Sequence, residues 1–301
     1  MAEIFRPEEG AVFDLSLRTK LRVTGGDRLR YLNGQVSNDV RKTSDREAIH
    51  ACVLTSKGKI NAEVFIRMEG ESLLIDSDPE TRESLPGRME RYVIADDVQI
   101  EDVTEEFGLF HITGSGAPRL TVPHRAVRVD RFGCAGHDLW LEASAHDAAR
   151  QELSGARPIC EGECAETFRI ERGVPRWGHE LTEEIIPNEA NLEPAAIDYG
   201  KGCYIGQEVI SRIKMSGQTN KRLCGLRARG EASLVAEMRL LTCDERKDVG
   251  WITSVATSTR AGGQIALGYL KRGFQSPGLH LDAATPDGAI AGVAVVALPF
   301  V

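Results

Sequence analysis

One short stretch of the sequence combines several groups that could do chemistry. Residues 201–208 read Lys-Gly-Cys-Tyr-Ile-Gly-Gln-Glu, which places an ammonium, a thiol and a phenol close together in the chain. The apolar pattern of 209–213 predicts that a helix follows directly. Free N–H groups at a helix N-terminus attract anions and favour a thiolate. We therefore expect an anion site here, with Cys203 as a nucleophile of lowered pKa and Lys201 beside it.

The same residues also have a purely structural interpretation. Gly202 and Gly206 would form a turn, because glycine adopts positive φ at little cost. Cys203 would then be a packing residue, as a lone cysteine in a cytosolic protein usually is. On residue types alone this interpretation is favoured, and both remain open.

The composition is that of a globular protein with an acidic balance. The chain has 301 residues, 42% of them hydrophobic, which predicts about two domains with sizeable cores. There are 37 Lys and Arg against 45 Asp and Glu, a net charge of −8, which argues against nucleic acid as the main partner. The early charges Arg6, Glu8 and Glu9 interrupt any signal peptide, and no apolar run reaches membrane-spanning length.

The cysteines indicate a reducing compartment. There are seven, an odd number scattered along the chain, which does not suggest a disulfide framework. Cys160 and Cys164 lack the second pair of ligands that a structural zinc site needs, so we interpret them as packing residues. No set of cysteines has the spacing of a ferredoxin-type cluster site. We expect a cytoplasmic protein without a metal site of its own.

A second candidate residue is Glu171, in the last turn of a helix predicted at 165–172 and closed by Gly173. A carboxylate there meets the negative end of the helix dipole, which costs roughly some tenths of a kcal/mol. A donor group of a ligand could compensate for this cost. A solvated ion pair with Arg169 or Arg172 could do the same, and the residue types do not decide between the two.

The chain up to Arg222 reads as interleaved strands and helices joined by hairpins, which predicts an α+β fold. The predicted strands are 11–16, 21–25, 49–56, 60–68, 73–76, 98–103, 109–112, 127–129 and 139–141. Besides 165–172, the predicted helices are 27–36, with Asp27 as its N-cap, one that starts at Pro79 and continues to Tyr92, and 143–153. His124 and His137 are interpreted as solvated loop residues.

After Arg222 the pattern changes to short strands separated by turn residues such as Pro277-Gly278. The predicted strands are 223–228, 238–242, 249–257, 264–270, 279–282 and 289–297. Such closely spaced short strands predict a small β-barrel or a sandwich. We therefore divide the chain into domains 1–222 and 223–301.

Several motifs together resemble one protein family. Residues 201–208 are similar to the signature of the YgfZ-type folate-binding proteins, relatives of the glycine-cleavage T-protein and of the mitochondrial factor that helps mature iron–sulfur proteins. Further segments match motifs of that family in order and spacing, namely 32–40, 169–175, 181–183, 187–192, 249–254 and 265–269. The resemblance covers essentially the whole chain, and it overturns the structural interpretation of Cys203.

The resemblance implies a GcvT-like folate-binding body of three lobes around a central cleft, one lobe ferredoxin-like, with a C-terminal β-barrel. It implies tetrahydrofolate or another reduced folate as the cofactor. In the T-protein a glutamate of the Arg-x-Glu-x-Gly helix holds the pterin, and Glu171 occupies that place. Asn38, Tyr204 and Arg212 are the other expected folate-binding residues. Arg212 would hold the glutamate tail or belong to a solvated basic loop, together with Lys214, Lys221 and Arg222.

The sequence departs from the T-protein pattern near residue 60. T-proteins carry a Gly-Gly-x-x-Asp-Asp type stretch there, and one of its aspartates assists transfer of the aminomethyl carbon to tetrahydrofolate. The corresponding stretch here ends in Ala62 and Glu63. Alanine cannot move a proton, so the resemblance favours an assembly factor over an aminomethyltransferase.

We expect a tetrahydrofolate-binding protein that supports maturation or repair of iron–sulfur enzymes. Cys203 and Lys201 would be its acting residues, and no turnover reaction is assigned. The alternative is a folate-dependent aminomethyltransferase or another one-carbon transferase. A purely structural folate-binding role is weaker, because it leaves the thiol without a purpose. The expected partners are folate and iron–sulfur client proteins, not nucleic acid or a membrane, and the expected state is a monomer.

Overall fold

The computed structural model describes residues 5–230 and 233–301, which fold into two compact units. Of the described residues, the first unit combines 5–161 with Glu193–Ser211. The second unit combines Gly162–Leu192 with Arg212–Val301. Each unit is thus built from two separate stretches of the chain.

The regular elements are named in chain order. The strands are β1 (Val12–Asp14), β2 (Thr19–Thr24), β3 (Ile49–Leu54), β4 (Ile60–Glu69), β5 (Ser72–Ser77), β6 (Gln99–Asp102), β7 (Phe107–Thr113), β8 (Arg125–Arg128), β9 (Gly136–Glu142), β10 (Lys221–Arg229), β11 (Arg239–Leu241), β12 (Asp248–Ser258), β13 (Gly263–Lys271), β14 (His280–Ala284) and β15 (Ile290–Val296). The α-helices are α1 (Pro7–Gly10), α2 (Arg28–Gln35), α3 (Leu85–Glu90), α4 (His146–Ala156), α5 (Glu163–Glu171), α6 (Glu193–Ala196) and α7 (Gln207–Ser216). Short 3₁₀ helices lie at Val40–Lys42, Pro79–Thr81, Thr104–Glu106 and Ala143–Ala145.

The first unit contains a five-stranded antiparallel sheet in the order β3-β4-β5-β2-β6. Side chains alternate between its two faces, as they do along any strand. On β4, Ala62 and Ile66 are fully buried in the apolar core shared with helices α2 and α3. The alternate residues Glu63, Phe65 and Arg67 lie on the opposite face. One face of the sheet is therefore an ordinary core, and the other carries buried charge.

A second sheet of the first unit has the order β1-β7-β9-β8. Val12, Phe110 and Leu139 of this sheet pack with Leu153 of α4 in an apolar cluster. Leu74 of the five-stranded sheet belongs to another cluster with residues of β7, β8 and β9. The two sheets of this unit thus share a core.

Arg131 joins the two sheets through buried carboxylates. Its guanidinium donates to Asp76 of β5 at 2.7 Å and to Asp138 of β9 at 2.6 Å. Asp76 also accepts from Arg18 at 2.5 Å, and Asp138 contacts Nδ1 of His111 at 2.9 Å. Burial would raise the pKa of Asp138, but the charge of Arg131 outweighs this and lowers it to about 2. The carboxylate is therefore ionised at neutral pH.

The second unit is built around a closed barrel in the order β10-β13-β12-β11-β14-β15. Its interior is filled by apolar side chains such as Leu226, Ile252, Leu270 and Val293. Helix α5 packs against β12 and β13. Each of the six strands predicted after Arg222 is present, and closure decides for the barrel over the sandwich.

The other predicted strands and helices are confirmed within a few residues, except that the helix predicted from Pro79 to Tyr92 is divided into the 3₁₀ helix Pro79–Thr81 and α3. Three local details also differ. His137 lies within β9 rather than in a loop. Asp27 precedes α2 without capping it through its side chain, which accepts from the backbone N–H of Asp97 instead. Cys160 and Cys164 are disulfide-bonded and are not free packing residues. Among the residues described, no helix has the length and apolar character needed to span a bilayer.

Candidate functional site

The 201–208 stretch forms the loop between α6 and α7, where the sequence predicts it. Gly202 and Cys203 are exposed, whereas Lys201 and Tyr204 are buried. The thiol thus lies at the surface four positions before the first residue of α7, Gln207. The geometry agrees with a thiol that an external partner can reach.

The ammonium of Lys201 is directed into the first unit. Its Nζ donates to the carbonyl oxygens of Asn33 and Val36 at 2.6 Å and of Asn38 at 2.7 Å. It also lies 5.1 Å from the ring centroid of Tyr204, a cation–π distance. Burial lowers the pKa of Lys201 to about 8, so the group is an ammonium at neutral pH. The sequence did not reveal that Lys201 donates hydrogen bonds to three backbone carbonyls.

The hydroxyl of Tyr204 has no hydrogen-bond partner among the described residues, although it is buried. Burial raises the pKa of this phenol, so the group is neutral and can donate one hydrogen bond. A buried polar atom without a partner costs free energy unless a ligand or water satisfies it. The hydroxyl of Tyr204 thus has unused hydrogen-bonding capacity.

Asn38, by contrast, is occupied by the protein itself. Its side-chain Nδ2 donates to the carbonyls of His50 at 2.8 Å and Ala195 at 3.2 Å. Its Oδ1 accepts from the backbone N–H of Asp39 at 2.8 Å. The amide links β3, the 32–40 motif and α6, which is a structural role.

Two glycines lock the 201–208 loop onto the β3–β4 hairpin. Gly206 has φ of +87°, and a Cβ there would lie 2.6 Å from the carbonyl oxygen of Thr55. Gly58 at the hairpin turn has φ of +72°, and a Cβ there would lie 3.0 Å from Val209. Both positions therefore require glycine for conformation and for space. The two glycine-containing motifs singled out in the sequence are packed against each other.

The positions that correspond to the acidic pair of T-proteins are both buried. Ala62 is fully buried in the apolar core. Glu63 is 6% exposed, and its carboxylate lies 2.7 Å from Nε2 of His50. Burial would raise the pKa of Glu63, but His50, Arg18 and Arg131 outweigh it and hold the pKa below its usual value. Ala62 thus offers no titratable group, and the carboxylate of Glu63 is paired within the protein.

Glu171 is the last residue of α5 in the second unit and is 3% exposed. Its Oε1 accepts from the hydroxyl of Ser258 at 2.5 Å, and its Oε2 accepts from the guanidinium of Arg260 at 3.0 Å. Arg260 thus provides the compensation that a carboxylate at a helix C-terminus needs. It is neither Arg169 nor Arg172, the neighbours considered from the sequence.

A second buried carboxylate of this unit, Glu180, was not singled out from the sequence. It is fully buried and accepts from the hydroxyls of Thr253 and Ser254 at 2.6 Å. It also accepts from Arg169 at 2.9 Å and from the backbone N–H of Arg176 at 3.1 Å. Its segment is polar and turn-like, so no sequence signal distinguishes it from a surface loop.

The predicted site residues are thus distributed over both units. Cys203, Lys201, Tyr204 and Asn38 belong to the first unit, and the structure brings Lys201, Tyr204 and Asn38 into one cluster. Glu171 and Arg212 belong to the second unit. Within the described residues, no group of three or more His, Cys, Asp or Glu side chains is arranged to hold a metal ion.

Comparison with known proteins agrees with this architecture. Residues 221–301 match the family model of the glycine cleavage T-protein C-terminal barrel domain. In a solved structure, the glycine cleavage system aminomethyltransferase T from Bartonella henselae covers 97% of this chain and 86% of its own, with a TM-score of 0.83 and 18% identity. The chain has the GcvT-like fold. The predicted α+β body with a C-terminal β-barrel is therefore confirmed.

Several relatives are named aminomethyltransferases. One from Corynebacterium jeikeium is 24% identical over 96% of this chain and 87% of its own length. Another, from Rubrobacter xylanophilus, is 27% identical over 86% of this chain and 75% of its own length. These similarities support a GcvT-like family with the C-terminal barrel. The finer assignment to the YgfZ-type branch stays a prediction.

Proposed function

We propose that this GcvT-like protein binds a reduced folate and supports the maturation or repair of iron–sulfur enzymes, without aminomethyl transfer as its main reaction. The observation that carries the proposal is the surroundings of the Ala62 and Glu63 side chains. In place of an acidic pair the chain has a core alanine and a carboxylate paired with His50 at 2.7 Å. Alanine has no group that can transfer a proton, and the carboxylate of Glu63 is already paired with His50.

Cys203 supports the second part of the proposal. It is exposed, whereas the neighbouring Lys201 and Tyr204 are buried. The thiolate is the form of cysteine that attacks disulfides and binds metals. An exposed thiol on a loop locked by Gly206 could exchange with a client protein or take part in transfer of a cluster. In this proposal the cluster is cargo, and the client supplies the other ligands.

The donor and acceptor groups fit a folate. Each carboxylate oxygen can accept two hydrogen bonds, so Glu171 retains acceptor capacity beside its contacts with Ser258 and Arg260. The amino and ring N–H groups of a pterin are suitable donors for that capacity. The unpartnered hydroxyl of Tyr204 offers a hydrogen bond to a ligand. Arg212, which belongs to the second unit as Glu171 does, is proposed to contact the anionic tail of the folate.

The test is a comparison of two phenotypes in a strain whose copy of this gene is disrupted. We expect iron–sulfur enzyme activities to fall and glycine cleavage to persist. Complementation with Cys203→Ala should fail to restore the enzymes, although the purified variant should bind tetrahydrofolate as the wild type does. Full complementation by Cys203→Ala would remove the thiol from the mechanism. An unchanged level of iron–sulfur enzymes in the disrupted strain would overturn the proposal.

Aminomethyl transfer is the second candidate, because the named relatives are aminomethyltransferases. Reconstitution with the other glycine-cleavage components and tetrahydrofolate decides between the two. Turnover near that of a genuine T-protein would establish this candidate. We expect turnover to be absent or vestigial, since Ala62 supplies no acidic group.

A further inference from the structure

Lys201 lies at a helix end that has no cation of its own. Helix α2 ends at Gln35 with no basic residue in its last turn. The carbonyl oxygens at a helix C-terminus have no partners within the helix and carry the negative end of its dipole. Those of Asn33 and Val36, together with that of Asn38, converge on the Nζ of Lys201. A residue more than 160 positions away in the sequence thus caps this helix.

The backbone contacts around the Lys201 ammonium connect the 32–40 motif with the segment that leads into the 201–208 loop. Ile205 donates its backbone N–H to the carbonyl of Gly34 at 3.2 Å, and Asp198 donates to Ser37 at 3.1 Å. The hydroxyl of Ser37 donates to Ala196 at 2.6 Å. The loop that carries Cys203 is therefore joined to the end of α2 on both sides of Lys201, and the ammonium lies at the centre of the junction.

We propose that Lys201 is a positioning residue, an internal primary ammonium that fills a three-carbonyl cation site and thereby fixes the loop that presents Cys203. It does not touch the reacting atoms. The inference rests on the proposed function only in that Cys203 is the acting thiol. The site itself takes a cation of a defined class, one that carries several N–H donors and fits between carbonyls at hydrogen-bond distance.

The chemical class of the cation gives the test its specificity. Lys201→Ala removes the ammonium and leaves a cavity lined by the carbonyls of Asn33, Val36 and Asn38. Methylammonium in solution can enter it and donate three hydrogen bonds. Tetramethylammonium has the same charge and no N–H donor, so it is the matched control at equal ionic strength. A general effect of salt would be the same for both ions.

The first measurement is hydrogen exchange of the amides of Asp198 and Ile205, whose bonds hold the loop. In Lys201→Ala we expect exchange about tenfold faster than in the wild type. The reason is that losing a hydrogen bond to a charged group shifts the opening equilibrium of the loop by about that factor. Methylammonium should restore slow exchange, and tetramethylammonium should not. The second measurement is alkylation of Cys203 by iodoacetamide, whose rate should change in the variant and return toward the wild-type value with methylammonium alone.

Two further variants keep the test decisive. Lys201→Met keeps the aliphatic stem and loses the donors, so it should show the same faster exchange with no rescue, because its cavity is filled. It carries the test alone if Lys201→Ala does not fold. Lys20→Ala removes another buried ammonium of the first unit, which donates to Ser16 at 2.6 Å and Arg18 at 2.9 Å. It should lower the melting temperature and leave Cys203 alkylation unchanged.

Unchanged loop exchange in both Lys201 variants would overturn the inference, since the loop would then be fixed without the ammonium. Equal rescue by both ions, or no rescue in folded Lys201→Ala, would also overturn it. None of these measurements uses folate or a client protein. A failure here is therefore distinguishable from a failure of the proposed function, which would appear in the complementation assay instead.

Discussion

Glu171 can be tested as a folate ligand separately from its structural role. The substitution is Glu171→Gln, which keeps the shape of the side chain and removes its charge. Two quantities should change: the free energy of unfolding, through Ser258 and Arg260, and the dissociation constant for tetrahydrofolate. The first quantity depends on contacts within the protein and the second on contacts with the ligand. Both can therefore be measured separately on the same purified variant.

The structural part of the effect follows from burial. The side chain of Glu171 is 4% exposed and that of Arg260 is 14% exposed. Breaking a buried ion pair by removing one charge typically costs about 3–5 kcal/mol. Glutamine still accepts a hydrogen bond and Arg260 keeps some access to water, so we expect a cost at or below the lower end, about 2–3 kcal/mol. This is less than the about 5–15 kcal/mol by which a domain is usually stable, so the variant should fold.

The binding part follows from the hydrogen bonds that the pterin would lose. A hydrogen bond to a charged group contributes about 1.5–3 kcal/mol, which corresponds to a dissociation constant roughly 10- to 150-fold higher. Calorimetric titration with tetrahydrofolate measures this constant, and thermal unfolding of the same sample measures stability. An unchanged dissociation constant in the folded variant would show that Glu171 does not hold the ligand.

Glu180→Gln is the matched control. Glu180 is a buried carboxylate of the same unit and also accepts from barrel hydroxyls, those of Thr253 and Ser254. We expect it to lower stability at least as much as Glu171→Gln, with no change in the intrinsic affinity for folate. If both variants weaken binding equally, the loss at Glu171 reflects disturbance of the segment and not a lost ligand contact.

Three other outcomes are expected. Ala62→Asp should destabilise the protein by several kcal/mol and create no aminomethyl transfer, because it buries a carboxylate in an apolar core (order of magnitude about 2–7 kcal/mol); a stable variant in thermal unfolding would contradict the packing. Gly206→Ala should destabilise by about 1–3 kcal/mol, since alanine at φ +87° is strained and its Cβ would meet Thr55; denaturant unfolding measures this, and a loss below about 0.5 kcal/mol would contradict it. The pKa of Lys201 is lowered from 10.5 to about 8, so between these values the unfolded chain binds more protons and the contribution of this group to unfolding free energy rises with pH; Lys201→Met should remove that part of the rise in unfolding free energies measured across this range.

The fold was largely predictable because its signals are local. Period-two alternation and turn residues predict the strands of the barrel, and the hairpin around Lys57-Gly58-Lys59 is set by its glycine. His137 was misplaced because a polar residue on a strand resembles a loop residue when the other side of the sheet is unknown. The predicted alternation separates Ala62 from Glu63, but it does not reveal that both faces of β4 are buried. That result depends on a second sheet formed by residues far along the chain.

The sequence predicted where the functional groups of the candidate site lie in the chain. It did not predict which partners their side chains contact. The sequence indicates which residues of 201–208 carry functional groups, yet the direction of the Lys201 side chain depends on docking against Asn33, Val36 and Asn38. Similarly, the partner of Glu171 is Arg260, which lies beyond the end of a barrel strand. Tertiary contacts of this kind leave no periodic signal in the sequence.

Some polar side chains near the 201–208 loop are already hydrogen-bonded within the protein, and this limits which of them can react. The ammonium of Lys201 is bonded to three carbonyls, and the amide of Asn38 is bonded to His50, Ala195 and Asp39. A side chain held by the backbone in this way is poorly placed to change its bonding during a reaction. Cys203, which is exposed, and the hydroxyl of Tyr204, which has no partner among the described residues, are free of this constraint. A neutral phenol of raised pKa suits binding more than proton transfer, so reactive chemistry at this loop falls to the thiol.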